Sequence, residues 1–345
     1  MRAWPLLPFK FSGIDLHSNN CFVVILDEMD RILYRRRLPN ALGAIVAALA
    51  PYRDELCGVV VESTYNWYWL VDGLMAAGYH VHLANTAAIK QYDGLKHSGD
   101  EADAVHLAHL LRLGILPEGY IGPPAERATR DLSRKRLQLT RCRTQQILSI
   151  ENILARQPGA TMTSNQIKQL EADGVDRLGL PEDVALALKA NLAVTKTLTL
   201  QIDKLERRLR EKVHLRTEYR VLNTAPGIGE ILATTIMLET GTVDRFAAVG
   251  NFSSYCRCVD SVHTSNNKKK GEGNRKNGNK YLAWAFIEAA NFALRFCPEA
   301  KRFYERKKAK TNSIVAIKAL AHKMARACYH MLRENKPFDV KRCFA

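Results

Sequence analysis

Four acidic side chains beside apolar segments are the residues whose type and spacing could do chemistry. Asp15 closes the apolar stretch in FSGIDLH, Glu62 closes CGVVVES, and Asp100 and Asp103 stand three apart in SGDEADAVHLAHLL. A spacing of three puts Asp100 and Asp103 on one face of a helix. If the strands ending in Asp15 and Glu62 are neighbours, their carboxylates emerge at the same sheet edge. Four gathered carboxylates repel one another unless cations neutralise them. Hard divalent ions such as Mg²⁺ (or Mn²⁺) take oxygen ligands, and paired ions stabilise both ends of a phosphodiester displacement. Plainer roles exist for single members, Asp100 as a helix N-cap and Asp15 as a turn residue. Glu62 resists such a reading, because a carboxylate closing an apolar run needs a partner.

The elements that must position these acids read as an α/β domain. FSGIDLH, CFVVILD and RILYRRRL are short β-type runs divided by turn-like polar residues. ALGAIVAALAPY reads as a helix, CGVVVES as a buried central strand, NWYWLVDGLMAAG as a helix and YHVHLA as a strand, before the helix with Asp100 and Asp103. Three strands in series and then alternating helix and strand is the order of a ribonuclease-H-like fold, parts of which other α/β folds share.

A length of 345 residues suits two or three domains, and 47% hydrophobic with 25% charged residues suits packed cores. The net charge of +16 is unevenly spread. Residues 1–130 hold 12 Lys+Arg against 14 Asp+Glu, residues 131–215 hold 15 against 10, and residues 216–345 hold 24 against 11. A gradient this steep points to a polyanion, foremost nucleic acid. No apolar run reaches the roughly 18 residues that span a bilayer. The opening MRAWPLLPFKF is too short and proline-broken for a signal peptide, so the expectation is no membrane and a bacterial, cytoplasmic location, acting at the nucleoid. Of eight cysteines only Cys256 and Cys258 lie close together, a spacing for neither zinc nor redox chemistry, so buried reduced thiols are expected.

From Leu132 a long basic helix is expected, then a polar break at Pro158–Gln166 and a second long helix from near Pro181. The second carries Leu188, Thr195, Ile202 and Leu209 at seven-residue spacing, with Leu198 and Leu205 between, imperfect at Asn191 and Thr195. That coiled-coil seam favours a protein–protein role over a hairpin within one chain. Beyond Leu222, APGIG places Gly227 and Gly229 between apolar segments, as in a helix-hairpin-helix element whose backbone N–H groups bind phosphate. VHTSNNKKKGEGNRKNGNKYLAWAF is a polar, basic, glycine-rich run that switches abruptly to an apolar helix anchored by Leu282, Trp284 and Phe286. Core packing of those aromatics is expected rather than base stacking. The later KRFYERKKAKTNSIVAIKALAHKMARACYHML reads as a basic turn followed by an amphipathic helix.

The acidic quartet, APGIG, and NFSSYCRCVDSVHTSNNKKKGEGNRKNGNKYLAWAFIEAANFALR together resemble the DEDD transposases of the insertion-sequence 110 family. The asparagine-rich KKKGEGNRKNGN is similar to its 1111 group, and the resemblance spans essentially the whole chain. It implies a ribonuclease-H-like (resolvase-like) domain over 1–130, a helical coiled-coil linker over 131–215, and a mainly α C-terminal transposase domain with helix-hairpin-helix over 216–345. It implies an RNA-guided recombinase that cuts and rejoins DNA, directed to donor and target DNA by a structured bridge or seeker RNA. A homo-oligomer, a tetramer built from dimers, is implied as well.

Carried across by position, the resemblance places metal-binding acids at Asp15, Glu62, Asp100 and Asp103. Its catalytic serine falls on Ser265, thirteen residues after Phe252, with Thr264 and Ser261 as neighbouring hydroxyls. Many relatives carry glycine after that serine where this sequence has Asn266. A serine attacking a phosphodiester needs close approach of the DNA and a positive field. Gly271, Gly273 and Gly278 would permit the approach, and Lys268, Lys269, Lys270, Arg275, Lys276 and Lys280 would supply the field. Two rivals remain open here: a metal-dependent resolvase-like nuclease using water, and a non-catalytic RNA-binding protein.

Overall fold

A computed structural model describes residues 9–89, 99–157, 161–259, 263–271 and 277–344. These divide into two compact units. One runs to Pro124 and takes in Asn277; the other holds the remaining residues from Ala125 onward.

The first unit is built on five strands: β1 (Lys10–Leu16), β2 (Asn20–Leu26), β3 (Ile32–Pro39), β4 (Leu56–Glu62) and β5 (Val81–Ala84). Their order is β3-β2-β1-β4-β5, with β1, β2 and β3 antiparallel in series and β4 and β5 parallel to β1. Side chains alternate across such a sheet, and the two faces are covered differently. Ile14, Leu16, Val23, Ile25, Val59 and Val61 pack beneath α1 (Leu42–Leu49) and α2 (Tyr68–Ala76). Val24, Leu26 and Val60 lie on the other face, against Ala104, Leu107 and Ala108 of α3 (Asp100–Arg112). Gly13 decides how close α3 comes: a Cβ there would lie 2.0 Å from the Ala104 carbonyl oxygen. Only glycine admits the helix at that depth, two residues before Asp15.

In the second unit, α4 (Pro124–Leu154) is followed by the short α5 (Ser164–Gln169) and α6 (Ala172–Asp176), then α7 (Glu182–Val213). Arg136 donates to Glu206, Arg143 to Thr199 and Asn191 to Ser149, so partners fall along α7 as they rise along α4. The helices therefore form an antiparallel hairpin within one chain. This corrects the expectation that the seam serves another protein: Leu188, Thr195, Ile202 and Leu209 are all buried by the chain itself. The two imperfect seam positions are satisfied locally, Asn191 by Ser149 and the Thr195 hydroxyl by the Asn191 carbonyl.

Helices α8 (Thr217–Leu222), α9 (Glu230–Thr240), α10 (Val249–Tyr255), α11 (Lys280–Phe296), α12 (Pro298–Lys310), α13 (Ser313–Glu334) and α14 (Val340–Phe344) form the rest, with a small hairpin of β6 (His263–Ser265) and β7 (Lys268–Gly271). Leu282 and Phe286 are fully buried and Trp284 packs on the same core, as expected of an anchor. KRFYERKKAK is not a turn but most of α12: Pro298 opens it, and the Lys, Arg, Glu and Ala that follow are good helix formers. The turn is confined to Thr311–Asn312, where Asn312 caps α13. The cysteines are free, with Cys21, Cys256, Cys297 and Cys328 buried. Among the described residues no helix is long and apolar enough to cross a membrane.

Candidate active site

Three elements bring the acids of the first unit together. Ile14 on β1 pairs with Val61 on the parallel β4, so Asp15 and Glu62 end adjacent strands at the same sheet edge, where open α/β sheets bind ligands. Helix α3 begins at this edge with Asp100, Glu101 and Asp103 in its first turn, where the helix dipole favours negative charge. Asp15 is 3% exposed, the consequence of a central strand covered by α3.

The electrostatics record crowding. Burial, the adjoining Asp15 carboxyl and the charge of Asp103 push Glu62 up to about 7. Burial, Asp15 and Asp100 likewise raise Asp103 above the usual carboxylate range. Asp100 moves the other way, because the Arg37 guanidinium hydrogen-bonds it and His17 adds positive charge. Glu62 thus senses Asp15 and Asp103, and Asp103 senses Asp15 and Asp100. Burial and the Asp15 charge also lift the Cys21 thiol to about 11, leaving it protonated.

Two residues the sequence reading missed belong here. His17 Nε2 lies 3.2 Å from an oxygen of Asp15 and 3.2 Å from one of Asp100. Asp15, His17 and Asp100 each offer a ligand atom within 4.8 Å of the others, the group among the described residues able to hold a metal. The His17 carbonyl is fixed by the side-chain amides of Asn40 and Asn66 at 3.0 and 2.9 Å. Arg37, on edge strand β3, bridges Asp100 and Asn20. The strand's two-residue period, carried from Asp15 one residue past the end of β1, points to His17; nothing in the sequence singled out Arg37's partner.

The donor chemistry fits a hard divalent cation. Burial and mutual repulsion penalise Glu62 and Asp103 in ionised form, while Arg37 neutralises Asp100 from outside. A cation bound at this edge would relieve that penalty.

The remaining expected residues that the structure describes lie in the second unit. Ser265 ends β6 and is exposed, facing Lys268 across the hairpin. Asn266 and Asn267 join the strands with φ of 49° and 56°, the left-handed pair a two-residue type I′ turn requires. Asparagine tolerates that region better than other residues with a Cβ, so Asn266 meets the same backbone demand as glycine. Lys268 and Lys270 are exposed on β7, Lys269 lies between them, and Lys280 is exposed at the start of α11. Arg275, Lys276, Gly273 and Ser261 lie outside the described residues.

Gly227 and Gly229 occupy the turn between α8 and α9 in different ways. At Gly227, with φ +84°, a Cβ would lie 2.4 Å from the Ala289 carbonyl oxygen, so this glycine seats the turn against α11. Gly229 is exposed in open space at the N-cap of α9. Gly278 has φ +87° and a Cβ there would lie 2.7 Å from the Tyr255 carbonyl oxygen; its glycine closes the loop rather than opening it to DNA.

Comparisons with known proteins bear on both units. Residues 12–157 match a family model described as a transposase, of the DEDD IS110 type. Residues 219–305 match a model described as transposase IS116/IS110/IS902 family. The transposase for insertion sequence element IS1111A of Coxiella burnetii is 23% identical over 349 residues, spanning 97% of this chain and 90% of that protein. An uncharacterized 43.6 kDa protein of insertion element IS110 from Streptomyces coelicolor is 24% identical over 122 residues, 35% of this chain and 30% of that one. The first window contains the four acids, the second Ser265.

Proposed function

We propose that this chain, which belongs to the IS110 family of DNA transposases, recombines DNA through a covalent DNA–serine intermediate under the direction of a structured RNA. The observation that carries the reading is the convergence of Asp15, Glu62 and Asp103 from β1, β4 and α3, with charges so crowded that Glu62 is pushed up to about 7. The strand order, with three antiparallel strands and two added parallel ones, supports a ribonuclease-H-like domain. A divalent ion, Mg²⁺ or Mn²⁺, held by Asp15, Glu62, Asp100 and Asp103 would supply charge stabilisation at the reacting phosphate.

The chain's own groups would act as follows. Ser265 Oγ forms a bond to the scissile phosphorus as the phosphorus–deoxyribose oxygen bond breaks, and the proton that Oγ loses ends, by way of solvent, on the departing oxygen as a free hydroxyl. Asn266 and Asn267 hold the serine at a hairpin tip where a phosphodiester can reach it. Lys268, Lys269, Lys270 and Lys280 set the positive field around it, with Arg275 and Lys276 from the same basic stretch. Gly229, at the start of α9, offers backbone N–H groups to DNA phosphate, with Gly227 shaping the helix-hairpin-helix turn behind it. A groove of about 410 Å³ along α4, where Lys135, Gln138 and Arg141 line it beside Asp131, suits a nucleic-acid backbone, while Arg134 at its edge is taken up by Glu239. The reaction needs the acids and the serine at one phosphate, from one chain or from two. Synapsis of two duplexes calls for a multimer, and we propose a tetramer of paired dimers.

The test is a denaturing gel of purified protein, the element's terminal RNA, Mg²⁺ and labelled donor DNA, boiled in detergent. A protein–DNA adduct in the wild type that disappears in both Ser265→Ala and Asp15→Ala is the expected result. Cleaved DNA without any adduct would instead establish hydrolysis by water. An adduct formed equally well without RNA would remove the guide.

A further inference from the structure

Helix α9 is apolar and buried from Leu232 through Thr240, yet it carries Glu239, whose side chain is 2% exposed. A carboxylate in such a place must be matched. Arg134 of α4 does so with two parallel hydrogen bonds, Nε to Oε1 at 2.6 Å and Nη2 to Oε2 at 2.7 Å. Buried ion pairs of this kind are often no more stabilising than apolar side chains of similar volume. What the pair does hold is a third group. Asn279 Nδ2 donates to Glu239 Oε2 at 2.7 Å, while Asn279 Oδ1 accepts from the Tyr281 and Leu282 backbone N–H groups as the N-cap of α11. The Arg134 guanidinium also lies 4.6 Å from the centre of the Tyr281 ring.

Asn279 is one side of a closed neck. Its backbone N–H donates to the Tyr255 carbonyl at 2.6 Å, and Arg257 Nη2 donates to the Gly278 carbonyl at 2.9 Å. Asn279 Nδ2 lies 3.3 Å from the Tyr255 hydroxyl as well. The chain leaving α10 and the chain entering α11 are thereby tied together, and the hairpin with Ser265 lies on the loop between them.

We infer that Arg134 and Glu239 are positioning residues for the reaction, a charged clamp that acts through Asn279 to fix the neck of the serine-bearing loop to α4. The inference rests on Ser265 being the nucleophile. In this reading the clamp acts through Asn279 and not on DNA. It sets the direction in which the hairpin leaves the bundle, and a misplacement of about 1 Å at a reacting group costs about 10²-fold in rate.

Asn279→Ser in the full-length protein is the sharpest probe, because serine still caps α11 but cannot reach Glu239. Arg134→Met with Glu239→Leu is the second, removing both charges together so that neither is left buried alone. For each, the thermal midpoint, hydrogen exchange at the Tyr281 and Leu282 amides, and the rate and DNA-concentration dependence of adduct formation are measured with the element's DNA ends and RNA. The expected result is a midpoint near wild type, faster exchange at the neck, and maximal adduct rate lowered about 10- to 100-fold with little change in half-saturating DNA. An adduct rate within a factor of two of wild type overturns the inference. So does a collapsed midpoint in both variants, which would make the clamp an ordinary fold contact. Ser265→Ala run alongside separates the two readings: if it forms adduct normally the nucleophile assignment falls, while the exchange data still judge the clamp.

Discussion

The acids and the serine are held in opposite ways. In the first unit, each acid sits on an element that packs into a core: β1 and β4 in mid-sheet, and α3 pressed onto Gly13. In the second, Ser265 stands exposed at the tip of a two-stranded hairpin whose loop is tied down at Tyr255 and Asn279. The difference follows from what each group must overcome. Carboxylates that repel can be kept together only by packing strong enough to outweigh the repulsion, which puts them in a rigid core. The proposed nucleophile has to meet an external phosphate and so must protrude, which leaves only its base to be fixed.

The sharpest way to break this comparison is to remove one member from each side. Asp15→Asn and Ser265→Ala should each reduce strand exchange at least about 10³-fold, since groups acting as a unit fail together. They should separate in a second assay. Mg²⁺ should raise the thermal midpoint of Ser265→Ala as it does the wild type, and should raise that of Asp15→Asn much less. Equal stabilisation of both would mean that the acids are not the cation site.

Next in size are the two glycines on which the supports depend. Gly13→Ala places a Cβ 2.0 Å from the Ala104 oxygen and should cost about 1–3 kcal/mol in urea denaturation, with weakened cation binding. Gly278→Ala meets the Tyr255 oxygen at 2.7 Å with φ +87°, and should spare cation binding while lowering adduct formation. Loss of cation response in both variants would dissolve the distinction.

The same contrast governed what could be read in advance. Asp15 and Glu62 stood out because each closes an apolar run, and the succession of strands and helices foretold the order around them. Asp103 followed from its spacing to Asp100. His17 was within reach, two residues along from Asp15 and so on its side of the strand. Arg37 was not, because its pairing with Asp100 spans 63 positions and its neighbours Arg35 and Arg36 look the same. The heptad seam was visible, but its partner helix could only be identified by contacts such as Arg136–Glu206. Ser265 was legible through resemblance alone, since one hydroxyl in a polar loop has no signature of burial or period.

A gentler test uses protons on the crowded side. Glu62 is pushed up to about 7 in the folded chain against an ordinary value of 4.5. Below 4.5 both folded and unfolded forms keep the proton and no penalty exists. As pH rises towards 7 the unfolded chain releases it while the folded chain retains it, so stability falls. The metal-free protein should therefore lose thermal midpoint between pH 4.5 and 7, with Asp103 contributing in the same sense. Glu62→Gln should flatten the slope, and added Mg²⁺ should stabilise the wild type more at pH 8 than at pH 5. A slope unchanged by Glu62→Gln would place the titration elsewhere. Ser265→Ala, on the exposed side, should leave the profile as it is.

The smallest effect lies at the hairpin tip, where backbone geometry and not charge sets the demand. Asn266 holds φ 49° beside Ser265, the proposed nucleophile. If its part is only to turn the chain, Asn266→Gly should leave adduct formation within a few-fold of wild type, because glycine occupies that region freely. Asn266→Val should lower it by roughly tenfold, since a residue with a branched Cβ loses about 1–2 kcal/mol in the left-handed region. Both substitutions remove the same side-chain amide, so amide chemistry would make them fall together. A gap between glycine and valine assigns the asparagine to the turn.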